Sequence, residues 1–163
     1  MADQNGTGTP KQFLLPGALH VCAGECEITT VLGSCVSVCL WDQSRGGGGM
    51  NHFMLPLWNG EGLATPKYGN IAMERLYEQV LALGSRRDRL VAKVFGGANL
   101  LTVSSAACPI GARNIELALT QLEEWRIPVA GSDLGGNTGR KIIMNTRTGV
   151  ILMGRGRPQG RGA

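Results

Sequence analysis

Residues 32–41 read LGSCVSVCLW, and small and apolar side chains alternate through this stretch from Val36 to Trp41. Strict alternation is typical of a β-strand whose two faces have different surroundings. A glycine and a serine come directly before Cys35, where they leave room around the backbone. We therefore predict a strand that begins directly after a cysteine thiol.

The segments around this strand predict that the first half of the chain is rich in β-structure. Short runs with β-branched residues precede it at Ala18–Cys22 and Glu27–Leu32. A further strand is predicted within Met50–Leu57, where Pro56 ends it.

The second half is predicted to contain two helices. Apolar residues recur at helical spacing through Tyr68–Leu83, which Gly84 follows, and through Ile110–Trp125. The remaining strands are predicted at Leu90–Phe95, Ile127–Gly131, Lys141–Asn145 and Val150–Met153.

This order of elements predicts an α+β fold. We expect a layered α/β/β sandwich, in which one or two strand-rich sheets carry two helices packed on one face. A single domain is expected at residues 13–153. Residues 1–12 and 154–163 are polar or rich in glycine and are expected to form flexible tails.

The composition argues against several classes of protein. A hydrophobic content of 43% is enough for a normal core, but no apolar run is long enough for a transmembrane helix, and Met1–Thr9 lacks the apolar stretch of a signal peptide. The net charge of +4 includes Arg155, Arg157 and Arg161 near the C-terminus, which leaves the body close to neutral. We expect no nucleic-acid groove and no membrane insertion, and an RNA-associated role of the Arg-Gly tail is a remote alternative.

The five cysteines predict a reducing compartment, since an odd count without a signal sequence argues against a disulfide framework. We therefore expect a cytoplasmic protein. Zinc is an alternative, because four cysteines form the pattern C-x3-C-x8-C-x3-C. Structural zinc sites usually have a two-residue gap in at least one pair, so we expect no metal. The four are Cys22, Cys26, Cys35 and Cys39.

Cys35 is the strongest candidate for a nucleophile, because the small residues before it leave room for a substrate. A free thiol is only about 3% ionised at pH 7, so a nucleophilic cysteine needs a base or a cation beside it. The sequence has two histidines, and His20 lies between Leu19 and Val21, as a core or edge residue does. His52 is the better partner.

The predicted hairpin between these strands gives a geometric test. A type I turn that begins at Asp42 and is centred between Gln43 and Ser44 would place Cys35 directly opposite His52. A turn centred on Gly46–Gly49 would break this register. Both alternatives stay open at this point.

Two glycine-rich segments follow predicted strands, Gly96-Gly97-Ala98 and Gly135–Arg140. Neither has the lysine or the glycine spacing of a phosphate-binding motif. We expect them to shape a loop near the site, without a cofactor.

Several stretches in order along residues 15–153 together resemble the CheD family of chemoreceptor glutamine deamidases. These stretches are residues 32–40 (LGSCVSVCL), 48–56 (GGMNHFMLP), 95–99 (FGGAN), 110–114 (IGARN) and 133–136 (DLGG) with Gly139-Arg140.

The resemblance implies a cysteine-dependent hydrolase of the chemotaxis system. It implies a catalytic triad of Cys35 as nucleophile, His52 as base and a threonine six residues before the cysteine, Thr29. Thr30 is adjacent, but strand alternation points the two threonines to opposite faces. Oxyanion donors are expected in the backbone of Cys35 or of the nearby loops, with Gly33, Ser34, Gly96 and Gly97 as candidates.

The resemblance also implies partners. The substrate would be glutamines of methyl-accepting chemotaxis receptors, which are converted to glutamates through a thioester, and the CheC phosphatase would be a regulator. The alternative is a binding module that regulates receptors or CheC with little or no catalysis.

Overall fold

Nine strands and two helices form three layers in the computed structural model, which describes residues 8–100 and 109–156. The helices are α1 (Gly69–Ala82) and α2 (Ile110–Glu124), and a short 3-10 helix spans Arg87–Arg89. The strands are β1 (Lys11–Phe13), β2 (Leu19–Cys22), β3 (Glu27–Leu32), β4 (Val36–Asp42), β5 (Gly48–Asn51), β6 (Leu90–Gly96), β7 (Val129–Leu134), β8 (Arg140–Asn145) and β9 (Ile151–Arg155).

The strands form two sheets, and the five-stranded sheet is the middle layer. Its order is β2-β5-β4-β6-β7, and the order of the four-stranded sheet is β1-β3-β8-β9. One apolar core lies between the middle sheet and the helices, and a second lies between the two sheets. This arrangement confirms the predicted α+β fold with both helices on one face.

The alternation of β4 assigns its two faces to these two cores. Val36, Val38 and Leu40 are fully buried in the core under the helices. Cys39 belongs to the core between the sheets, and Cys35 packs against that core from the start of the strand. The thiol of Cys35 is therefore on the side of the second sheet.

The strand β5 begins two residues earlier than predicted and ends at Asn51, and its two glycines are required by close packing. It lies between β2 and β4, and a Cβ at Gly48 would overlap the carbonyl oxygen of Leu40. A Cβ at Gly49 would overlap the carbonyl oxygen of His20. After Asn51 the regular pairing stops, and only single bridges at Phe53 and Leu55 follow.

The ordered chain extends further at both ends than the expected domain. Lys11 and Gln12, which we assigned to the N-terminal tail, pair with β3 as part of β1. At the other end Gly154 and Arg155 belong to β9, and the N–H of Gly156 donates to the carbonyl of Gly139 at 2.8 Å. The Arg-Gly segment at residues 157–163 lies outside the described residues.

The register of the β4–β5 hairpin differs by two residues from the one that placed Cys35 opposite His52. Cys39 pairs with Met50, and this register puts Met54 opposite Cys35. The turn does begin at Asp42, whose Oδ1 accepts from the backbone N–H groups of Ser44 and Arg45. It is longer than a two-residue turn, however, since the N–H of Asp42 donates to the carbonyl of Gly47.

Candidate active site

Cys35 lies in the junction between β3 and β4 and is half-buried. Its carbonyl accepts a hydrogen bond of 2.9 Å from the N–H of Gly97. Its backbone is therefore held by the segment that follows β6.

His52 follows β5 and is held by both its backbone and its ring. Its N–H donates to the carbonyl of Ala18 at 3.1 Å, and its carbonyl accepts from the N–H of Gly17 at 2.8 Å. The ring is 1% exposed, and its Nδ1 lies 2.7 Å from Oγ1 of Thr30. Its Nε2 is buried and has no hydrogen-bond partner among residues 8–100 and 109–156.

The hydroxyl of Thr30 determines the tautomer of this histidine. A threonine hydroxyl has one proton, and Oγ1 of Thr30 donates it to the carbonyl of Leu14 at 2.9 Å. The same oxygen must then accept from Nδ1–H of His52, and this assignment follows from the hydrogen-bond network. Nε2 consequently carries a free lone pair and can act as a base.

The threonine against His52 is therefore Thr30, whereas we expected Thr29. Thr30 is fully buried between the sheets, and Thr29 points to the outer face of the four-stranded sheet. In the four-stranded sheet Thr29 pairs with Phe13 of β1 on one side and with Ile143 of β8 on the other. The two threonines point to opposite faces, as predicted. The one that faces the space between the two sheets, however, is Thr30.

Cys35 and His52 are diagonal neighbours on one face of the sheet. Between them, Val36 and Phe53 exchange two backbone hydrogen bonds of 3.1 and 3.0 Å. The side chains of Val36 and Phe53 both enter the core under the helices. Their neighbours Cys35 and His52 consequently face the opposite side, at the diagonal Cα separation of about 7–8 Å typical of antiparallel strands.

Burial keeps both groups of this pair neutral near pH 7. It lowers the pKa of His52 to about 4. Burial also raises the pKa of the Cys35 thiol, and the hydrogen bond from its own backbone N–H opposes part of that rise. Since burial disfavours the charged form of each group, the arrangement suits proton transfer during attack rather than a thiolate formed in advance.

The glycines at the end of β6 support the backbone of Cys35. Gly96 has a positive φ of 108°, and a Cβ there would overlap the carbonyl oxygen of Cys35. The N–H of Gly97 is used by that same carbonyl, and the N–H of Ala98 donates to Gly33. We had considered Gly97 as an oxyanion donor, but its N–H is already bonded.

Two further residues at the site were not singled out from the sequence. Arg140 is 2% exposed and donates to the carbonyls of Gly96 and Gly135 and to Asp133. Asn114 is fully buried on α2 and donates to the carbonyl of Ser34. The sequence feature that could have identified Asn114 is its position as a polar residue on the buried face of α2, one turn before Ala118 and two turns before Leu122.

No group of three or more potential metal ligands occurs in the described part of the chain. Cys26 and Cys39 lie in the core between the sheets, and Cys22 and Cys35 pack against that core. None of the helices within residues 8–100 and 109–156 is long and apolar enough to cross a membrane.

Comparisons with known proteins agree with the resemblance noted above. The family model described as CheD chemotactic sensory transduction matches residues 54–155. A protein of Trichlorobacter lovleyi, named a probable chemoreceptor glutamine deamidase CheD, is 77% identical over 159 residues, which cover 98% of this chain and 99% of that protein.

More distant relatives carry the same name. One from Sulfurimonas denitrificans is 44% identical and covers 88% of this chain and 92% of its own length. One from Anaeromyxobacter dehalogenans is 45% identical, with 89% of this chain and 84% of that protein covered.

The fold and the site define a layered α+β protein in which a cysteine and a buried histidine share one face of the middle sheet. The matches to the family model and to these relatives identify it more closely. The chain belongs to the CheD family.

Proposed function

We propose that this protein is a cysteine-dependent deamidase that converts glutamines of chemotaxis receptors to glutamates. The names of its relatives support the reaction and the substrate. The observation that carries the chemistry is the buried Nε2 of His52, which is unprotonated and lies on the same face as Cys35.

The reaction begins when the sulfur of Cys35 attacks the side-chain carboxamide carbon of the glutamine. A C–S bond forms while the thiol proton passes to Nε2 of His52. The carbonyl oxygen becomes an oxyanion, and the backbone N–H of Cys35 is the candidate donor that would stabilise it.

The C–N bond then breaks, and His52 returns its proton to the nitrogen, which leaves as ammonia. Water attacks the resulting thioester with His52 again as the base. The C–S bond breaks, the thiol regains a proton, and glutamate is released. No metal or organic cofactor takes part in these steps.

We assign the orienting role to Thr30 rather than to Thr29. Its hydroxyl accepts from Nδ1–H of His52, so it holds both the plane and the tautomer of the ring. The contact and the complete burial of Thr30 support this assignment.

The product has one more negative charge than the substrate and presents a carboxylate that can be methylated. We infer that the protein acts in the cytoplasm and contributes to chemotactic adaptation by this change. CheC, which the family resemblance implies as a regulator, is the proposed partner.

Mass spectrometry of a glutamine-bearing receptor fragment tests the proposal. The fragment is expected to gain about one dalton per deamidated glutamine with the wild-type protein and to stay unchanged with Cys35→Ala. Cys39→Ala is the matched control, because Cys39 lies on the same face of β4 within the core. Deamidation by Cys35→Ala at the wild-type rate would contradict the proposal, and a fragment that is bound but never converted would favour a binding module.

A further inference from the structure

Asn114 holds two backbone carbonyls next to the nucleophile. It is fully buried on α2, and its Nδ2 donates to the carbonyl of Ser34 at 3.1 Å and to that of Met54 at 3.0 Å. Both hydrogens of the amide are therefore used, and both acceptors lie at the end of the strand pair that carries the site.

The first of these hydrogen bonds orients the backbone N–H of Cys35. The carbonyl of Ser34 and the N–H of Cys35 belong to one trans peptide unit, in which the two groups point in opposite directions. Because the carbonyl is directed to α2, the N–H is directed to the other side of the sheet.

The second hydrogen bond connects the nucleophile to the segment that carries the base. Met54 is opposite Cys35 in the register and follows His52 by two residues. The hydrogen bonds between Val36 and Phe53 are the last backbone pair before this point. One side-chain amide thus takes the place of the next pair of backbone hydrogen bonds.

The other atom of the amide shows that Asn114 is retained at a cost. Its Oδ1 is buried without a hydrogen-bond partner among the described residues. An unpaired buried acceptor is destabilising, and such groups are rare in folded proteins. Asn114 therefore combines two satisfied donors with one destabilising acceptor.

We propose that Asn114 is a positioning residue that directs the backbone N–H of Cys35 at the oxyanion of the reaction. This inference rests on the proposed function for its biological meaning. At the level of the thiol, Asn114 promotes reactions of Cys35 that pass through an oxyanion and leaves its other reactions nearly unchanged.

Two reagents separate these cases on the full-length protein. Iodoacetamide alkylates a thiol by displacement at carbon without forming an oxyanion. 4-Nitrophenyl acetate acylates it through a tetrahedral oxyanion and releases nitrophenolate. Rates are corrected with Cys35→Ala, which reports the reaction of the other cysteines.

Asn114→Ala is expected to slow the acylation by about 10²–10³, the usual cost of losing one oxyanion donor. Alkylation should change by less than about threefold, since it needs no such donor. On a receptor fragment, kcat should fall with acylation while KM stays close to that of the wild type.

Asn114→Asp is a second variant with the same side-chain shape. Its carboxyl has one donor when protonated and none when ionised. The ratio of acylation to alkylation is therefore expected to fall with rising pH in this variant, whereas it stays constant in the wild type. The ionisation of the thiol cancels in that ratio.

Leu122→Ala is the matched control on the same helix, because Leu122 is fully buried in the core under the helices. It should lower Tm and leave the ratio unchanged. Equal losses of acylation and alkylation in Asn114→Ala, or a ratio that follows Tm in both variants, would overturn the inference. A wild-type protein that acylates but never deamidates receptor fragments would instead contradict the proposed function, while the inference is still decided by the ratio.

Discussion

A single proton on Thr30 determines which nitrogen of His52 is available for chemistry. The carbonyl of Leu14 takes that proton, so the hydroxyl can only accept from the ring. If His52 is the base, its free nitrogen is therefore set in the folded protein before a substrate binds. Burial lowers the pKa of His52 to about 4, so the ring is neutral near pH 7.

Thr30→Val is expected to lower kcat by about tenfold or more, because the ring of His52 loses the hydrogen bond that fixes its orientation. The buried donor left unpaired should also lower the free energy of unfolding by about 1–3 kcal/mol. Thr29→Val should be close to wild type, since its side chain faces away from the site. Initial rates of deamidation and Tm measured for both variants check this expectation. A larger effect of Thr29→Val would restore the assignment made from the sequence.

The alkylation of Cys35 by iodoacetamide is expected to rise with pH and to reach half of its maximum at a higher pH than for a cysteine with an ordinary pKa. The midpoint shifts to higher pH because burial disfavours the thiolate and so raises the pKa of Cys35. Rates measured between about pH 6 and 11 on wild type and Cys35→Ala give the profile. A plateau that is already reached at pH 7 would mean a preformed thiolate–imidazolium pair.

At the level of elements, the last strand determines where the chain can be shortened. The guanidinium of Arg155 contacts Asp133, which also binds Arg140, and the N–H of Gly156 bonds the carbonyl of Gly139. The boundary expected from composition, after residue 153, would cut through β9.

A chain that ends at Gly156 is expected to keep the Tm and the deamidation rate of the full-length protein. It keeps every contact of β9, while it loses Arg157 and Arg161, which should weaken salt-sensitive binding to nucleic acid. A chain that ends at Gly154 should have a lower Tm by a few degrees, because it loses the contacts of Arg155 and Gly156; the ion pair itself is exposed and contributes at most about 1 kcal/mol.

In the chain ending at Gly156, a loss of turnover with unchanged alkylation of Cys35 would show that residues 157–163 recognise the substrate. That outcome would contradict the expectation that this shortened chain keeps the deamidation rate of the full-length protein.

Most of the elements could be predicted from the sequence, since periodicity depends on which face of each element is buried. The strand β1 could not, because its three residues are all exposed and its parallel pairing with β3 depends on distant residues. The register that would place Cys35 opposite His52 was also wrong, since hydrogen bonds to Asp42 that lengthen the turn are not visible in composition.

For the molecule as a whole, the site depends on segments far apart in the chain. The positions of Cys35 and His52 were identified by the small residues before the thiol and by the family resemblance. The choice between Thr29 and Thr30 depends on how β3 packs in tertiary structure, which local alternation leaves undetermined. Asn114 contributes from the second helix, about eighty residues after Cys35.

The tight packing of β5 has a consequence for genetics. Gly48 and Gly49 take no part in the chemistry, yet neighbouring backbone atoms leave no room for any side chain there. In a saturation-mutagenesis selection for chemotaxis, these two codons should tolerate fewer amino acids than the codon of Thr30, where a serine still supplies a hydroxyl. A map of mutational tolerance would therefore show strong constraint beside the candidate active site as well as within it.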